Sequence, residues 1–381
     1  MKKIYWRPQR ISLRLLWVIA CVAVLGLIAV ENYTVKEKQS YFATKLKAAK
    51  LAAKAFEAIH AKRIEMGLPI DIEADPAQTG LIGALLSPVT TNPGHLQSKQ
   101  TTANPNFAAV MVHLLKRAGV KEGDKVAVGI SGSFPAINIS VLSALSVLNA
   151  DPIIISSAGS SQWGANYPEF MWPEMEKLLV ERHIFSFKSV AISRGGIDDR
   201  ALGLSKKGRK ILDNIIEHSG ATPLVVKNYA DSVEKRMALY DEYSGDARIT
   251  AYVNVGGGTT SVGTKLGKKM FKPGLNRSIP RGGLHIDSVM TRFSMEGVPI
   301  IHMTSMNRLA ERYGLPLQPA LVPKPGEGRI FYKEVHSSIL AASVLAIIII
   351  MMIAFIRLDW GYRFISSNRK SHAPSNPERM V

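Results

Sequence analysis

The chain has 381 residues and a formal net charge of +18 at pH 7, with 48 Lys and Arg against 30 Asp and Glu. Its single cysteine, Cys21, excludes a scaffold held together by disulfides. No nucleic-acid-binding motif accompanies the positive charge, so we expect no nucleic-acid partner.

Two long apolar segments lie near the ends of the chain. They cover residues 11–30 and 337–356, and each matches the roughly 20 residues that span a bilayer core. We therefore predict two transmembrane helices. A cleaved signal peptide is the alternative for the first segment, although the bulky residues that follow Val30 do not form a cleavage site of small residues.

Basic residues flank both apolar segments on their outer sides. This pattern predicts cytoplasmic basic tails at residues 1–10 and 357–381, and an extracytoplasmic location for the chain between the helices. The two tails hold nine of the Lys and Arg, Arg14 in the first apolar segment makes ten, and the tails hold two of the Asp and Glu, so the remainder of the chain carries a surplus of about ten positive charges. The surplus favours an acidic partner, either membrane lipid or an anionic polymer, with solubility as the alternative.

Residues 31–67 repeat Ala, Lys and Leu at helical spacing and end at Gly67. We predict a helical stalk that leads away from the membrane, and the alternative is a helix whose basic face rests on anionic lipid. Residues 68–106 are rich in Gly, Ser, Thr and Pro, which predicts a loop-rich connector.

Residues 107–336 alternate short apolar runs with helical stretches. We predict strands at 125–130, 152–156, 189–192, 223–227, 249–255 and 298–302. We predict helices at 107–118, 136–149, 172–182, 205–219, 231–243, 285–294 and 307–313. The alternation predicts an α/β fold: a mainly parallel, doubly wound sheet in an extracytoplasmic domain that the two transmembrane helices flank.

Five loops that follow predicted strands are rich in glycine and small hydroxyl residues. Ligands bind beyond the carboxyl ends of parallel strands, and such residues let a ligand approach the backbone and form hydrogen bonds. The pattern predicts a ligand-binding cleft, with ordinary turn chemistry as the alternative. The predicted ligand-binding residues are Ser131, Gly132, Ser133, Ser157, Ser160, Ser161, Arg194, Gly256, Gly257, Gly258, Thr259 and Thr260.

Ser131 and Ser133 follow a predicted strand where a nucleophile would stand, but the G-x-S-x-G motif is incomplete. A ligand-binding role is therefore favoured over a nucleophilic one. The other catalytic candidates, as bases or orienting acids, are His285, His302, Asp198, Asp199 and Asp287. His285 and Asp287 lack a third ligand at a recognisable spacing, so no metal site is predicted.

The glycine run at 254–260 (NVGGGTT) resembles the second phosphate loop of actin-like and Hsp70-like ATPases. Asn254 stands where that loop carries an acid that helps to bind the metal. ATP is also scarce at the predicted extracytoplasmic location, so we predict no nucleotide and no other cofactor.

Four stretches of the chain are long and unusual. They are GISGSFPA at 129–136, ISSAGSSQWGAN at 155–166, SRGGIDDRALGLS at 193–205 and NVGGGTTSVG at 254–263. With an apolar segment at each end, the chain resembles the poly-γ-glutamate system protein family over roughly residues 10–360. The resemblance implies a role at the bacterial cytoplasmic membrane in the synthesis or export of poly-γ-glutamate, with synthase or export components as partners. It carries over no catalytic residue.

The main hypothesis is therefore a membrane-anchored cell-envelope accessory protein that supports synthesis or export of an acidic polymer, first of all poly-γ-glutamate. It would bind the polymer or its synthase complex. The alternative is an extracytoplasmic serine-dependent hydrolase or transferase that acts on the polymer. A third hypothesis is a structural subunit whose membrane helices hold a synthase complex together.

Overall fold

The computed structural model describes the backbone of residues 13–263, 267, 270–279 and 285–358, and the side chains in these ranges except those of 13–15 and 355–358. The chain divides into two compact units. One joins Met1–Glu37 to Lys333–Val381, and the other is Lys38–Tyr332.

The described residues form helices and strands in the following order. The helices are α1 Leu13–Asn32, α2 Phe42–Glu65, α3 Leu96–Thr102, α4 Phe107–Ala118, α5 Pro135–Val147, α6 Trp172–Glu181, α7 Lys206–His218, α8 Tyr229–Ser244, α9 Thr259–Val262, α10 Val289–Met295, α11 Met306–Tyr313 and α12 Ser338–Leu358. The strands are β1 Thr34–Lys38, β2 Thr90–Asn92, β3 Lys125–Ser131, β4 Asp151–Ser157, β5 Ser160–Ser161, β6 Asn166–Tyr167, β7 Phe170–Met171, β8 Ala191–Ser193, β9 Thr222–Pro223, β10 Ile249–Val255, β11 Gly274–Asn276, β12 Ile300–Met303 and β13 Tyr332–His336.

The first unit contains the two apolar helices, α1 and α12, and the small β1–β13 sheet. Lys333 and Glu37 pair across that sheet at 3.0 Å. A Cβ atom at Gly26 of α1 would overlap the side chain of Val344 of α12. Glycine at this position therefore lets the two helices approach each other closely.

Within the part of the chain that the structure describes, no helix has the length and apolar character needed to cross a membrane. The predicted segment 11–30 begins outside that part. The predicted tail 1–10 lies wholly outside the described residues, and the predicted tail 357–381 lies outside them except for its first two residues.

The second unit is built on a seven-stranded sheet with the order β11-β12-β10-β3-β4-β8-β9. The neighbouring strands are parallel, except that the edge strand β11 is antiparallel to β12. From β3 the chain first builds the sheet outward through β4, β8 and β9, and then returns to add β10 and β12 on the other side. The strand order therefore reverses between β3 and β10, and such a switch point is the preferred ligand site of an open parallel sheet.

Helices cover both faces of this sheet. Val126 and Val128 of β3 belong to the core that includes α2, α4 and α5, whereas Ala127 belongs to the core that includes α8 and α10. Alternate residues of one strand thus enter opposite cores, as the two-residue repeat of a β-strand requires. The predicted α/β fold with a mainly parallel sheet is confirmed.

The helix α2, which was predicted to be a stalk, is part of the core that also includes α4 and α5. Ala48, Ala49, Ala52 and Ala55 of α2 are fully buried, and the Lys45 ammonium donates a hydrogen bond to the Ile330 carbonyl oxygen at 2.9 Å. The stalk prediction is wrong for α2, because its alanine face packs closely against other helices instead of leading away. The compact unit accordingly begins at Lys38 and not at residue 107.

The largest differences from the predicted elements lie at strand and helix ends. β9 is reduced to Thr222–Pro223, where a strand was predicted at 223–227. The helix predicted at 285–294 begins at Val289, because the Ser288 hydroxyl oxygen accepts a hydrogen bond from the Thr291 N–H at 3.1 Å and caps the first turn. His285 therefore lies outside α10.

Glu176 of α6 is expected to make stability depend on pH. The Ser189 backbone N–H and hydroxyl donate to its carboxylate at 3.0 and 2.9 Å, and burial raises the pKa of Glu176 from its ordinary value of 4.5 to about 7. The folded protein therefore holds more protons than the unfolded chain between these values, and this residue lowers stability as the pH rises through that window.

We therefore expect Glu176→Gln to be more stable than the wild type at about pH 8, with the difference vanishing at about pH 4, in urea unfolding. Glu181→Gln, which changes an exposed carboxylate of the same helix, serves as the control and should show little difference at either pH. An equal effect of both substitutions would contradict the expectation.

Candidate functional site

A cavity of about 640 Å³ lies at the carboxyl ends of β3 and β10, where the strand order reverses. The loops that follow β3, β4, β8, β10 and β12 all contribute to its wall. These are the five Gly- and hydroxyl-rich loops that the sequence predicts at one edge of the sheet, and the fold brings them together.

The loop after β3 contributes Ser131 and Ser133 to the cavity wall, whereas Gly132 is absent from the wall. A Cβ atom at Gly132 would lie 3.1 Å from the Ala158 carbonyl oxygen. Glycine at position 132 therefore lets the two loops pack closely. The Ser133 hydroxyl oxygen accepts a hydrogen bond from the Ser161 N–H at 3.1 Å, so it braces the neighbouring loop.

The loop after β4 contributes Ser157 and Ser161 to the wall. Ser160 is fully buried, and its hydroxyl donates to the carbonyl oxygens of Gly132 and Ser161 at 3.0 and 2.9 Å. Of the three serines predicted to bind a ligand here, two thus face the cavity and the third fixes the loop.

Of the three predicted charged residues in the loop after β8, only one lines the cavity. Arg194 is not part of the wall and forms a two-fold ion pair with Asp213 at 2.6 and 2.7 Å. Asp198, which has a left-handed backbone (φ 53°), is also absent from the wall. Asp199 does line the cavity.

Asp199 forms a buried ion pair with Arg236 of α8, with Arg236 Nη2 donating to Asp199 Oδ2 at 2.8 Å. Only 4–5% of the two side chains is exposed. The hydroxyls of Ser193 and Ser232 each donate to the Asp199 carboxylate at 2.6 Å. Asp199 is thus fully engaged in neutralising Arg236, which argues against its predicted role as the acid of a catalytic triad.

The glycine run after β10 forms the opposite wall. Gly256 has φ 86°, a backbone conformation that favours glycine, and its N–H donates to the Met303 carbonyl oxygen at 2.8 Å. The Asn254 amide donates to the Gly256 carbonyl oxygen at 2.8 Å. Asn254 therefore braces the loop from below, where the ATPases that this run resembles carry an acid.

The remaining predicted residues of this run also line the cavity. Gly258 and Thr259 are exposed at its edge, and a Cβ atom at Gly258 would meet nothing within 4 Å. Thr260 is buried, and its hydroxyl oxygen lies 3.3 Å from that of Ser232. Gly257 lies between Gly256 and Gly258 on the same wall.

Neither of the two predicted histidines lines the cavity with the predicted serines. His285 is exposed and absent from the cavity wall. His302 is buried in β12 with its Nδ1 atom 2.9 Å from the Asn254 amide nitrogen. Asp287 pairs with Arg292 at 2.7 Å. Among the described residues, no group of three or more His, Cys, Asp or Glu side chains could hold a metal ion.

The segment 91–98 closes the cavity, although the sequence places it in a connector. Its strand β2 pairs with β5, and the Thr91 hydroxyl donates to the Ser160 carbonyl oxygen at 3.0 Å. The Gly94 N–H donates to the Gln162 side-chain oxygen at 3.0 Å. The connector is therefore part of the site.

Lys99 of α3 is a site residue that sequence reasoning missed, as is Arg236 of α8. The Lys99 side chain is almost completely buried and lines the cavity. Its ammonium donates to the Ser133 carbonyl oxygen and, at 2.9 Å, to the Ser161 hydroxyl oxygen. Burial lowers the pKa of Lys99 to about 7. A lysine inside the polar stretch LQSKQTT shows no motif that would distinguish it from a surface residue.

No protein-family model, curated protein or solved structure matches the chain.

Proposed function

We propose that the chain is a membrane-anchored protein of the cell envelope that binds an acidic polymer of the poly-γ-glutamate type in this cavity. The observation that carries the proposal is the lining of the cavity. Hydroxyl side chains and glycine backbone dominate it, and the only acid among its described residues, Asp199, is neutralised by Arg236.

Such a lining suits a chain of amides and carboxylates. Hydroxyl groups both donate to carbonyl or carboxylate oxygens and accept from amide N–H groups. A volume of about 640 Å³ lies within the range of roughly 300–1,000 Å³ that small-molecule sites occupy. The cavity is therefore large enough for a short stretch of polymer but not for a folded partner.

Charge and sequence resemblance favour an acidic ligand. With Asp199 paired, no described acid of the wall is left to repel a carboxylate. The part of the chain that would lie outside the cell carries a surplus of about ten positive charges, which attracts polyanions over distances set by the ionic strength. The four motif stretches that resemble the poly-γ-glutamate system proteins contain most of the cavity loops.

The exposed apolar side chains of the first unit support membrane anchoring. Trp17 and Leu25 of α1 are 66% and 65% exposed, and Ile339 and Ile350 of α12 are 81% and 62% exposed. Contiguous apolar surface of this kind marks a protein or lipid contact. Two anchors with cytoplasmic tails would place the cavity outside the cell.

The topology can be tested with a single engineered cysteine. Lys206 is exposed at the start of α7, and the natural cysteine can be removed as Cys21→Ser. We expect a membrane-impermeant maleimide to label Cys21→Ser/Lys206→Cys equally in intact and permeabilised cells. Labelling that requires permeabilisation would contradict the extracytoplasmic location.

Polymer binding can be tested at Gly258, where a new side chain has open space. We expect Gly258→Glu to weaken binding of a γ-glutamyl oligomer to the full-length protein about tenfold, since a like charge within a few ångströms costs roughly 1–4 kcal/mol. Titration calorimetry measures the affinity.

Two control variants show whether the loss of affinity comes from the charge at the site, from the size of the new side chain or from the change in net charge. Gly258→Gln adds the same bulk without the charge, and Lys206→Glu lowers the net charge at an exposed position outside the cavity wall. Both are expected to bind within about two-fold of the wild type. Equal loss in all three variants, or no loss in Gly258→Glu, would remove the support for this site.

An enzyme that acts on the polymer is the second candidate. The hydrogen bond between Lys99 and Ser161 favours it, because a buried lysine beside a serine hydroxyl on a cavity wall is an arrangement suited to nucleophilic catalysis.

A further inference from the structure

We propose that Ser161 and Lys99 form a nucleophile and base pair that cleaves or transfers an amide bond of a chain held in the cavity. Only the identity of the substrate, a γ-linked amide polymer, depends on the proposed binding function. The reactivity of the pair follows from its own geometry.

Three contacts fix the position of the lysine side chain. The Lys99 ammonium donates to the Ser133 carbonyl oxygen and, at 2.9 Å, to the Ser161 hydroxyl oxygen. Its nitrogen also lies 4.0 Å from the centre of the Phe134 ring. A long and flexible side chain is thereby held with its nitrogen beside one serine hydroxyl.

The peptide of Ser161 is fixed on both sides. Its N–H donates to the Ser133 hydroxyl oxygen at 3.1 Å, and its carbonyl oxygen accepts from the Ser160 hydroxyl at 2.9 Å. The Ser161 side chain itself lines the cavity. The nucleophile and the base are therefore arranged before a substrate binds, which lowers the entropic cost of reaction.

The surroundings of Lys99 favour its neutral form. Burial lowers the pKa of Lys99 to about 7. The other described titratable or charged side chains of the cavity wall are His95, in the segment before α3, and Asp199 and Arg236 on the opposite wall, which pair with each other. The helix α11, which packs against α3, adds three exposed charged residues, Arg308, Glu311 and Arg312.

Deprotonation turns the hydrogen bond between the two residues around. In the charged state Lys99 donates to the Ser161 oxygen. A neutral amine still donates one N–H to the Ser133 carbonyl oxygen, and its lone pair can then accept the Ser161 hydroxyl proton. This is the relation of a general base to a nucleophile.

The reaction balances without a cofactor. Ser161 Oγ forms a bond to the amide carbonyl carbon while Lys99 Nζ takes the hydroxyl proton. The C–N bond then breaks, and Lys99 returns the proton to the leaving nitrogen, which departs as an amine. Water or an acceptor amine cleaves the resulting ester by the same exchange with Lys99, releasing an acid or a new amide and restoring the Ser161 hydroxyl.

The proposed nucleophile, Ser161, differs from the two nucleophile candidates of the sequence, Ser131 and Ser133. Ser133 lines the same wall, but its hydroxyl holds the Ser161 N–H and its carbonyl oxygen holds Lys99. Ser131 lies across the loop, and its hydroxyl oxygen lies 3.4 Å from the Ser133 nitrogen. Both serines support the pair, and Ser161 is the one whose hydroxyl contacts the base.

A fluorophosphonate probe tests the pair on the full-length protein in detergent. We expect covalent labelling at Ser161, mapped by peptide mass spectrometry, at a rate that rises with pH through about 7 as Lys99 loses its proton. Ser161→Ala should abolish labelling. Lys99→Met should slow it at least about 100-fold and remove the pH dependence near neutrality.

Two further variants control for structure. Ser186→Ala changes an exposed serine outside the cavity wall and should keep the wild-type rate. Lys99→Arg keeps the donors but supplies no base at neutral pH and should be slow. Circular dichroism establishes that each variant is folded. Labelling at Ser131 or Ser133, no labelling of the folded wild type, or an unchanged pH profile in Lys99→Met would overturn the proposal.

Polymer binding, measured on the same samples, keeps the two proposals apart. A protein that binds γ-glutamyl oligomers without labelling at Ser161 would refute the catalytic pair alone. A protein labelled at Ser161 that binds no oligomer would refute the proposed ligand alone and leave the pair standing.

Discussion

Asp199→Ala is expected to lower the free energy of unfolding by about 3–5 kcal/mol, because it leaves the buried Arg236 guanidinium without its counter-charge. The hydroxyls of Ser193 and Ser232, which now donate to the carboxylate, also lose their acceptor. Urea unfolding followed by the fluorescence of the buried Trp172 measures the loss.

Two variants show whether the loss comes from the unpaired charge. Asp198→Asn removes the charge of the neighbouring carboxylate, which has no ion pair among the described contacts, and keeps a residue type that tolerates the left-handed backbone there. It should change stability by no more than about 0.5 kcal/mol. Asp199→Ala/Arg236→Met removes both charges and should recover a large part of the loss. A double variant as unstable as Asp199→Ala would show that the guanidinium is not the cause.

The second large effect is expected at α2. Ala52 is fully buried, so Ala52→Glu would force a carboxylate and extra volume into the core. Overpacking alone costs about 1–3 kcal/mol, and the unpaired charge adds to it. We expect a total loss of more than about 3 kcal/mol, or failure to fold.

Ala43→Glu is the matched control, since Ala43 is an exposed alanine in the first turn of the same helix. An acid in the first turn interacts favourably with the helix dipole, so stability should be unchanged or slightly higher. If α2 were a free stalk, the two substitutions would have similar effects on thermal unfolding, and that result would contradict the packing of α2 in the core.

The sheet and its ligand-side loops were predictable because both have local signals. Apolar runs such as Ile249–Val255 read as buried strands, and that range is reproduced without change in β10. Gly and Ser residues after each run then mark the strand ends. Since parallel strands share a carboxyl edge, local assignments were sufficient to bring five loops together.

The role of α2 was not predictable from its composition alone. Its alanines recur at helical spacing, but a solvated Lys-rich helix and a helix packed through a small-residue face share that pattern. Which one forms depends on whether α4 and α5 offer a closely fitting surface. That information lies in residues far away in the sequence, and Lys45 becomes a buried donor only after packing.

Only part of the site was predicted, because some of its residues come from segments far from the strand-end loops in the sequence. Ser131, Ser157 and Ser161 follow strands and do line the cavity. Lys99 reaches it from a segment before the first strand of the main sheet, and Arg236 reaches it from the middle of α8. No spacing in the sequence relates either residue to the loops, because the relation exists only in the folded chain.

Hydrogen–deuterium exchange with and without a γ-glutamyl oligomer tests the central claim, that the cavity between β3 and β10 holds an acidic polymer. We predict slower exchange on oligomer addition in segments 91–98, 131–135 and 256–261, which contain residues of the cavity wall. At an oligomer concentration near the wild-type Kd, Gly258→Glu should show only a small part of this protection, because its affinity is expected to be about tenfold lower. Protection confined to other segments, or no protection at an oligomer concentration that saturates binding, would contradict the claim.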